Sequence, residues 1–482
     1  MSLVPSPGAL PQPGESALGY WVRIAGFSKK GLAAAVTDRA GAVGYPHIRP
    51  DGSRARRWLQ GEHPRPPVPD LLAAVLSERC GRRITAADLG LAEADAGDLA
   101  RYRGPAELLK DLGDTTAASL AHGPLTHQAP PRTDELHEQA PHAPERLLPA
   151  LEAWAYAPPH VLPGPSAAAG RRLGATDAVR IAGYTAVFRR LDNEHGGGST
   201  LHSATGQLSW ATRIIRDGRY TEAAGRDLFR ELADLAGCVG WISHDVAQWP
   251  AAIRHLTLAV HAARESGDRN LTAHLLQCLA RVWGYLGHPG SAADCVALAL
   301  YGSRRSAHPV LRAGLHALAA RFAALQGDTG DALRNMRHAQ EIFTDAAPDD
   351  LPAYVAYLDH SELASTLGEV MLFLARTSGQ PRHATTAVDL LTTAAAERDP
   401  ARHRSRAFDA VAAARSLLVI GDLAAACAAG TRAIEVGHAV DSTRVRRRFQ
   451  DLAREAAPHQ DNPAIRDLRA RLLTISNDSH RP

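Results

Sequence analysis

The chain has 482 residues, 45% hydrophobic but only 5% aromatic, and a formal net charge of +3. It is too long for one ordinary domain, and its Ala- and Leu-rich core material favours helix over sheet. Overall charge names no partner, and five scattered cysteines without a CxxC pair exclude a disulfide framework and suit structural thiols in a reducing compartment.

In chain order, residues 1–14 form a Pro-rich tail without the layout of a secretion signal. No uncharged apolar stretch reaches the roughly 18 residues of a membrane span, so a cytoplasmic, nucleoid-associated protein is expected. Charge is uneven. Tyr20–Gly90 holds twelve Lys/Arg against six Asp/Glu, which is +6 and leaves −3 for the rest. A small basic module is joined to a mildly acidic body, and an anionic partner is expected for the module.

Residues 15–91 carry five short helical patterns. Leu18, Trp21, Val22, Ile24 and Ala25 form the first apolar stripe, which Gly26 breaks. Ser28 is placed to cap a second helix with Leu32, Ala35 and Val36 inward. A third starts at Asp51 or Ser53, turns Ala55, Trp58 and Leu59 inward and stops at Gly61. Prolines 64, 66, 67 and 69 form a rigid turn before a fourth helix over 69–80, and "ITAADLGL" supplies a short fifth. A basic third helix after two short ones suits a helix-turn-helix reader of double-stranded DNA. Ser28, Lys29 and Lys30 would meet phosphates, and Ser53, Arg54, Arg56 and Arg57 would enter the major groove.

The stretch "RRWLQGEHPRPPVPDLLAAVLSERCGRRITAADLGL", with its Trp-x-x-Gly and following prolines, resembles the N-terminal module of XRE-type regulators. More narrowly it resembles the actinobacterial regulators that attach this module to a long repeat domain. The resemblance covers residues 15–91. It implies a regulator of differentiation or secondary metabolism acting as a repressor, and a homodimer on a palindromic operator.

Residues 92–165 are rich in Pro, Ala and His and read as a tether, with a short helix around 145–155. His122, His127, His137 and His142 lack ligand spacing, so no metal is expected.

From 166 to 475 the chain is helical pattern after helical pattern, followed by a tail over 476–482. An element of Gly, four residues and Ala recurs at 218–223, 287–292, 327–332, 379–384 and 421–426, and at 247–252 with Ala in place of Gly. The closing alanines lie 29, 40, 40, 52 and 42 residues apart. The longest interval absorbs "TDAAPDDLPAYVAYLD". Helix, Gly turn and helix in series make a solenoid in which each unit buries its face only against neighbours. The units resemble tetratricopeptide repeats, with an armadillo-like reading as the alternative. The preceding "FRRLDNEHGGGS" (188–199) lacks a Gly-Lys-Ser/Thr and reads as a flexible helix-to-helix turn, although it too resembles the actinobacterial regulators.

If the repeats are tetratricopeptide-like, the first helices line a concave groove. Aligning on the alanines places Trp241, His244, Asp245, His274, Gln277, Arg281, Arg321, Glu369, Phe373, Arg376 and Arg415 there. Such an Arg-rich, partly aromatic lining suits a peptide, an acidic protein tail or a carboxylate-bearing small molecule. No enzyme constellation occurs. "SHDVAQ" strings Ser243, His244 and Asp245 together, but helix neighbours point in different directions, so no catalytic residue and no cofactor is expected.

The expectation is an all-α, two-part regulator with a DNA-reading module and a ligand- or partner-binding solenoid. Two rivals stand beside it: an adaptor whose module no longer reads DNA, and a peptide-pheromone receptor.

Overall fold

The computed structural model describes residues 16–42, 45–62, 64, 67–80, 84, 86, 89, 91, 102, 104–121, 144–162, 170–346, 351–438 and 440–477. They hold twenty α-helices, one 3-10 turn and no named strand. The chain divides into two compact units, Met1–Ala96 and Gly97–Pro482.

The first unit packs α1 (Ala17–Ile24), α2 (Lys29–Ala42), α3 (Gly52–Leu59) and α4 (Val68–Cys80) around one apolar centre. Short caps start the helices. Ser16 Oγ accepts from Gly19 N at 3.1 Å, Ser28 Oγ from Gly31 N at 3.0 Å, and Asp51 Oδ1 from Arg54 N at 2.7 Å. Gly61 ends α3 with φ +102°, a conformation that costs other residues strain. Leu18, Leu32, Val36, Ala55, Trp58, Leu72 and Leu76 fill the centre. Ile84, Ala86, Leu89 and Leu91 are buried, while the rest of the expected fifth helix lies outside the described residues.

The second unit is a series of helical hairpins. They are α9–α10 (Glu222–Asp245, Trp249–Ser266), α11–α12 (Arg269–Tyr285, Pro289–Ser303), α13–α14 (Pro309–Leu325, Thr329–Thr344), α15–α16 (His360–Ser378, Pro381–Glu397), α17–α18 (His403–Ile420, Leu423–Gly437) and α19–α20 (Thr443–Glu455, Pro463–Asn477). Each first helix packs against the next. Two helices, α7 (Ala175–His195) and α8 (Leu201–Asp217), precede the series, and α7 touches both α9 and α17. The row of first helices therefore curls until its later members meet its start.

The Gly-x4-Ala element is a turn device. Across four hairpin turns the same bond recurs, from the N–H of the residue after the turn to the carbonyl five back: Gln248 to Ser243 (2.9 Å), His288 to Trp283 (2.9 Å), Asp328 to Ala323 (2.9 Å) and Asp422 to Leu417 (3.1 Å). The intervening residues, Gly287, Gly327 and Gly421, have φ of +91°, +82° and +90°. Ala247 occupies the same position at φ +64°. The closing alanines 252, 292, 332, 384 and 426 are buried, where a larger side chain would hold paired helices apart. The 218–223 copy departs from this pattern. Gly218 has φ −90° and Ala223 is exposed, because this segment joins α8 to α9 and does not turn a hairpin. An alanine in the left-handed region is strained by about 1–2 kcal/mol. Ala247→Gly is therefore expected to raise stability by roughly 1 kcal/mol in urea unfolding, the gain being trimmed by glycine's extra unfolded freedom.

Two expectations are corrected. The Pro/Ala/His-rich stretch is more than a tether. Within it, α5 (Pro105–Ala121) packs on α8 and α10, and α6 (Pro144–Tyr156) packs on α12. Leu108, Leu109, Leu112, Leu147, Leu151 and Trp154 join the body's core. The following strap is anchored where buried Glu265 accepts from His160 N (2.8 Å) and meets His160 Nδ1 (2.9 Å). The second of these helices is the short one expected around 145–155, while the first is masked by the surrounding prolines although its apolar spacing is helical. The four histidines between 122 and 142 lie outside the described residues. Nor is the Gly196–Gly198 turn a flexible joint. Asp441 N donates to His195 O (3.1 Å), Gly197 N donates to Asp245 Oδ2 (3.2 Å), and a Cβ on Gly196 would lie 2.4 Å from Asp441 O. Its glycines allow two backbones to touch.

Candidate functional sites: a basic helix and an arginine-lined cavity

In the first unit, α3 turns Ala55 and Trp58 inward and leaves Ser53, Arg54, Arg56 and Arg57 exposed. Ser28, Lys29 and Lys30 at the start of α2 are also exposed. Gly52 sits against Lys30, where an added Cβ would lie 3.2 Å from Cγ, so the two helix starts are close. Every residue expected to contact DNA is thus at the surface, at the start of α2 or along the eight residues of α3. Glu62 lies 3.8 Å from Arg54 and 3.3 Å from Arg57, between exposed groups where water screens the attraction.

In the second unit, the curled first helices enclose a cavity of about 210 Å3. Six residues expected on a groove reach its wall: Trp241 and His244 of α9, His274 and Arg281 of α11, Arg321 of α13 and Glu369 of α15. The other five are packed outside the lining. Asp245 is fully buried, accepting from Ser442 Oγ (2.9 Å) and pairing with Arg404 (3.2 Å). Gln277 bonds the Tyr357 hydroxyl, and Phe373 lies beneath the Arg321 guanidinium at 5.3 Å. Arg376 and Arg415 both pair with Glu455.

The wall also holds residues that the repeat alignment does not reach. Arg189 and Asp192 come from α7, in the segment read as a flexible turn. Tyr354 and Tyr357 come from the insertion before α15. Arg404 and Phe408 come from α17, and Arg444 and Arg448 from α19. The arginine spacings i, i+4 in "TRVRRRFQ" and the pair Arg189/Asp192 at i, i+3 are the sequence signals that mark one helix face.

Most of these charges are paired. Arg404 grips Asp192 through two bonds of 2.9 and 2.8 Å. Arg189 bonds Asp234, and Arg398 bonds Asp409 (2.8 Å) and Glu362 (2.6 Å). Arg321 and Arg448 share Glu369. Burial works to raise the Glu369 carboxyl, but Arg321, Arg448 and Arg415 pull it down to about 2. Burial, only partly offset by Arg398 and Ser365, pushes Asp409 up to about 6. Cys238 and Cys278 on the wall are pushed up to about 12, chiefly by burial, so they stay thiols at neutral pH and are poor nucleophiles. Ser243, His244 and Asp245 form no relay: Ser243 Oγ donates to Val239 O, and Asp245 is turned to Arg404 and Ser442. Among the described residues no group of three metal-ligating side chains gathers.

Burial holds His274 neutral, lowering it to about 3 with help from Arg189 and Arg281. The folded value lies below the ordinary 6.5, so between these values the unfolded chain binds a proton that the folded chain refuses. Stability is then lost as pH falls through that window, by up to about 1.4 kcal/mol per pH unit. Urea midpoints at pH 7, 6 and 5 should fall in that order, and less steeply for His274→Gln. An identical slope in the variant would remove His274 as the source.

Residues 18–92 match the SP15 N-terminal domain family, a description that states no activity. No curated protein matches the chain. No described helix is long and apolar enough to cross a membrane.

Proposed function

We propose that the protein is a DNA-binding transcriptional regulator, with a helix-turn-helix-like first unit and a tetratricopeptide-like body that holds a ligand. The observation that carries the reading is the division of labour on α3. Ala55 and Trp58 fix the helix from inside, while Ser53, Arg54, Arg56 and Arg57 project beside Lys29 and Lys30. Arginines on an anchored short helix can fork onto guanine, and lysines on the adjoining helix start can meet phosphates. The body supplies the second half, a polar cavity bounded by α7, by the first helices of the successive hairpins from α9 to α17, and by α19. A ligand bound there would bias the curl of the hairpins and so the disposition of the DNA unit. Repression and dimerisation on a palindrome belong to the same proposal.

The adaptor reading draws on one observation. Glu62 partly neutralises Arg54 and Arg57, which weakens the pull of α3 on a polyanion. Recovery of genomic fragments by the purified chain at about 0.15 M salt separates the two. One enriched sequence supports the regulator. Uniform weak recovery favours the adaptor.

A further inference from the structure

One region of the cavity carries more positive charge than its carboxylates balance. Arg281, Arg321, Arg404, Arg444 and Arg448 lie close enough to influence one another or the His244 ring between them. Three carboxylates serve these five: Asp192 and Asp245 on Arg404, Asp245 again on Arg444, and Glu369 on Arg321 and Arg448. The two guanidiniums without a close carboxylate of their own are Arg281 and Arg444, with Glu362 and Glu369 acting on Arg281 from beyond ion-pair distance. Arg281 forms no ion pair or hydrogen bond with a described residue, and its Nε is enclosed without a partner. Arg444 approaches a carboxylate only at 3.6 Å and otherwise lies 4.9 Å from the Trp241 ring and 5.0 Å from the Phe408 ring. Burial, with Arg404 and Arg448 beside it, lowers Arg444 to about 10.

Neutral donors face the same space. His244 is 1% exposed and His274 8%, both on the wall, and each has Nδ1 enclosed with no partner. Orphaned buried polar atoms are rare unless a ligand, water or ion completes them. The flat faces of Trp241, Phe408 and Tyr285 supply the apolar side of the space. At about 210 Å3 the cavity holds on the order of fifteen water-sized atoms, which suits a small molecule.

We propose that this region binds a small molecule in which a doubly charged anionic group, a phosphomonoester or a pair of carboxylates, is joined to a planar ring. The anion sits between Arg281 and Arg444, where forked guanidinium donors match its oxygens, and the ring lies against Trp241 and Phe408. This rests on the reading of the body as ligand-binding and names the ligand's chemistry.

Calorimetry on the full chain with phenyl phosphate, phthalate and neutral benzyl alcohol tests it. At least one anion should bind roughly tenfold or more tightly than the alcohol, and the preference between them identifies the phosphate or carboxylate source. Arg281→Met, checked by circular dichroism for a retained fold, should lose roughly tenfold in that affinity. Arg444→Met, checked by circular dichroism, should lose a similar factor. Equal binding of anions and alcohol, or native affinity in both folded variants, overturns the proposal. DNA retention on the same preparations separates it from the regulator reading. Anion binding without any DNA binding leaves this inference standing and sinks the regulator, and the reverse result does the opposite.

Discussion

Arg404→Met is expected to destabilise the second unit by about 3–5 kcal/mol, the usual cost of removing one partner from a buried charge pair. Arg404 lies on α17, and its two bonds reach Asp192 of α7, 212 residues earlier in the chain. Its side chain is 8% exposed and that of Asp192 5%. The same guanidinium stands 3.2 Å from the fully buried Asp245 of α9. Burial opposes the charge on Arg404, but Asp192 and Asp245 hold its pKa above the ordinary arginine value. Methionine fills much of the volume and leaves Asp192 enclosed without its cation. Asp245 keeps Ser442 and the Gly197 N–H. Asp192→Asn in the Arg404→Met background should therefore recover part of the loss, because the orphaned charge disappears. Urea unfolding followed by circular dichroism measures both. A loss below about 1 kcal/mol would mean that water reaches the pair, and that the closure of the body on α7 rests on apolar packing alone.

The triple substitution Arg54→Ala, Arg56→Ala, Arg57→Ala should lower DNA affinity by on the order of a hundredfold or more at physiological salt. The dependence of log affinity on log salt should become shallower by about 0.9 for each phosphate that the variant no longer neutralises. The first unit should keep its fold, since all three side chains are exposed and α3 is held by Ala55 and Trp58. Trp58 fluorescence and thermal melting provide that control. Glu62→Gln should act oppositely and strengthen binding modestly, because Arg54 and Arg57 are released from its carboxylate. Unchanged DNA retention in a folded triple variant would remove α3 as the reading element. An unchanged salt slope would show that its arginines meet no phosphate.

Much of the architecture is legible in one dimension because it is local. A helix start needs an oxygen three residues ahead of a free N–H, and Ser16, Ser28 and Asp51 supply it in the first unit. A hairpin turn needs a residue that tolerates positive φ and then a small residue where helices close, so the Gly-x4-Ala spacing marks the turns of successive helical hairpins. Equivalent positions in successive hairpins also share a face. That is why aligning on the alanines brings Trp241, His244, His274, Arg281, Arg321 and Glu369 to one cavity wall.

Partner choice is not local. The alignment also selects Asp245, Gln277, Phe373, Arg376 and Arg415, and nothing in the spacing distinguishes a residue that faces the cavity from one consumed by Ser442, Tyr357, Arg321 or Glu455. The Pro- and His-rich stretch shows the short helix that becomes α6 but hides α5 and the packing of both, because their burial depends on the surface that α8, α10 and α12 offer them. By itself, then, the amino-acid sequence determined the all-helical composition, the caps and turns, the basic exposed helix and six of the residues on the cavity wall, all set by neighbours within a few residues. Only the tertiary structure decided that the row of hairpins curls back onto α7, and so which arginines find carboxylates. A pair such as Arg404 and Asp192 exists only once hundreds of intervening residues have packed, and the two guanidiniums without a close carboxylate of their own, Arg281 and Arg444, follow from that closure.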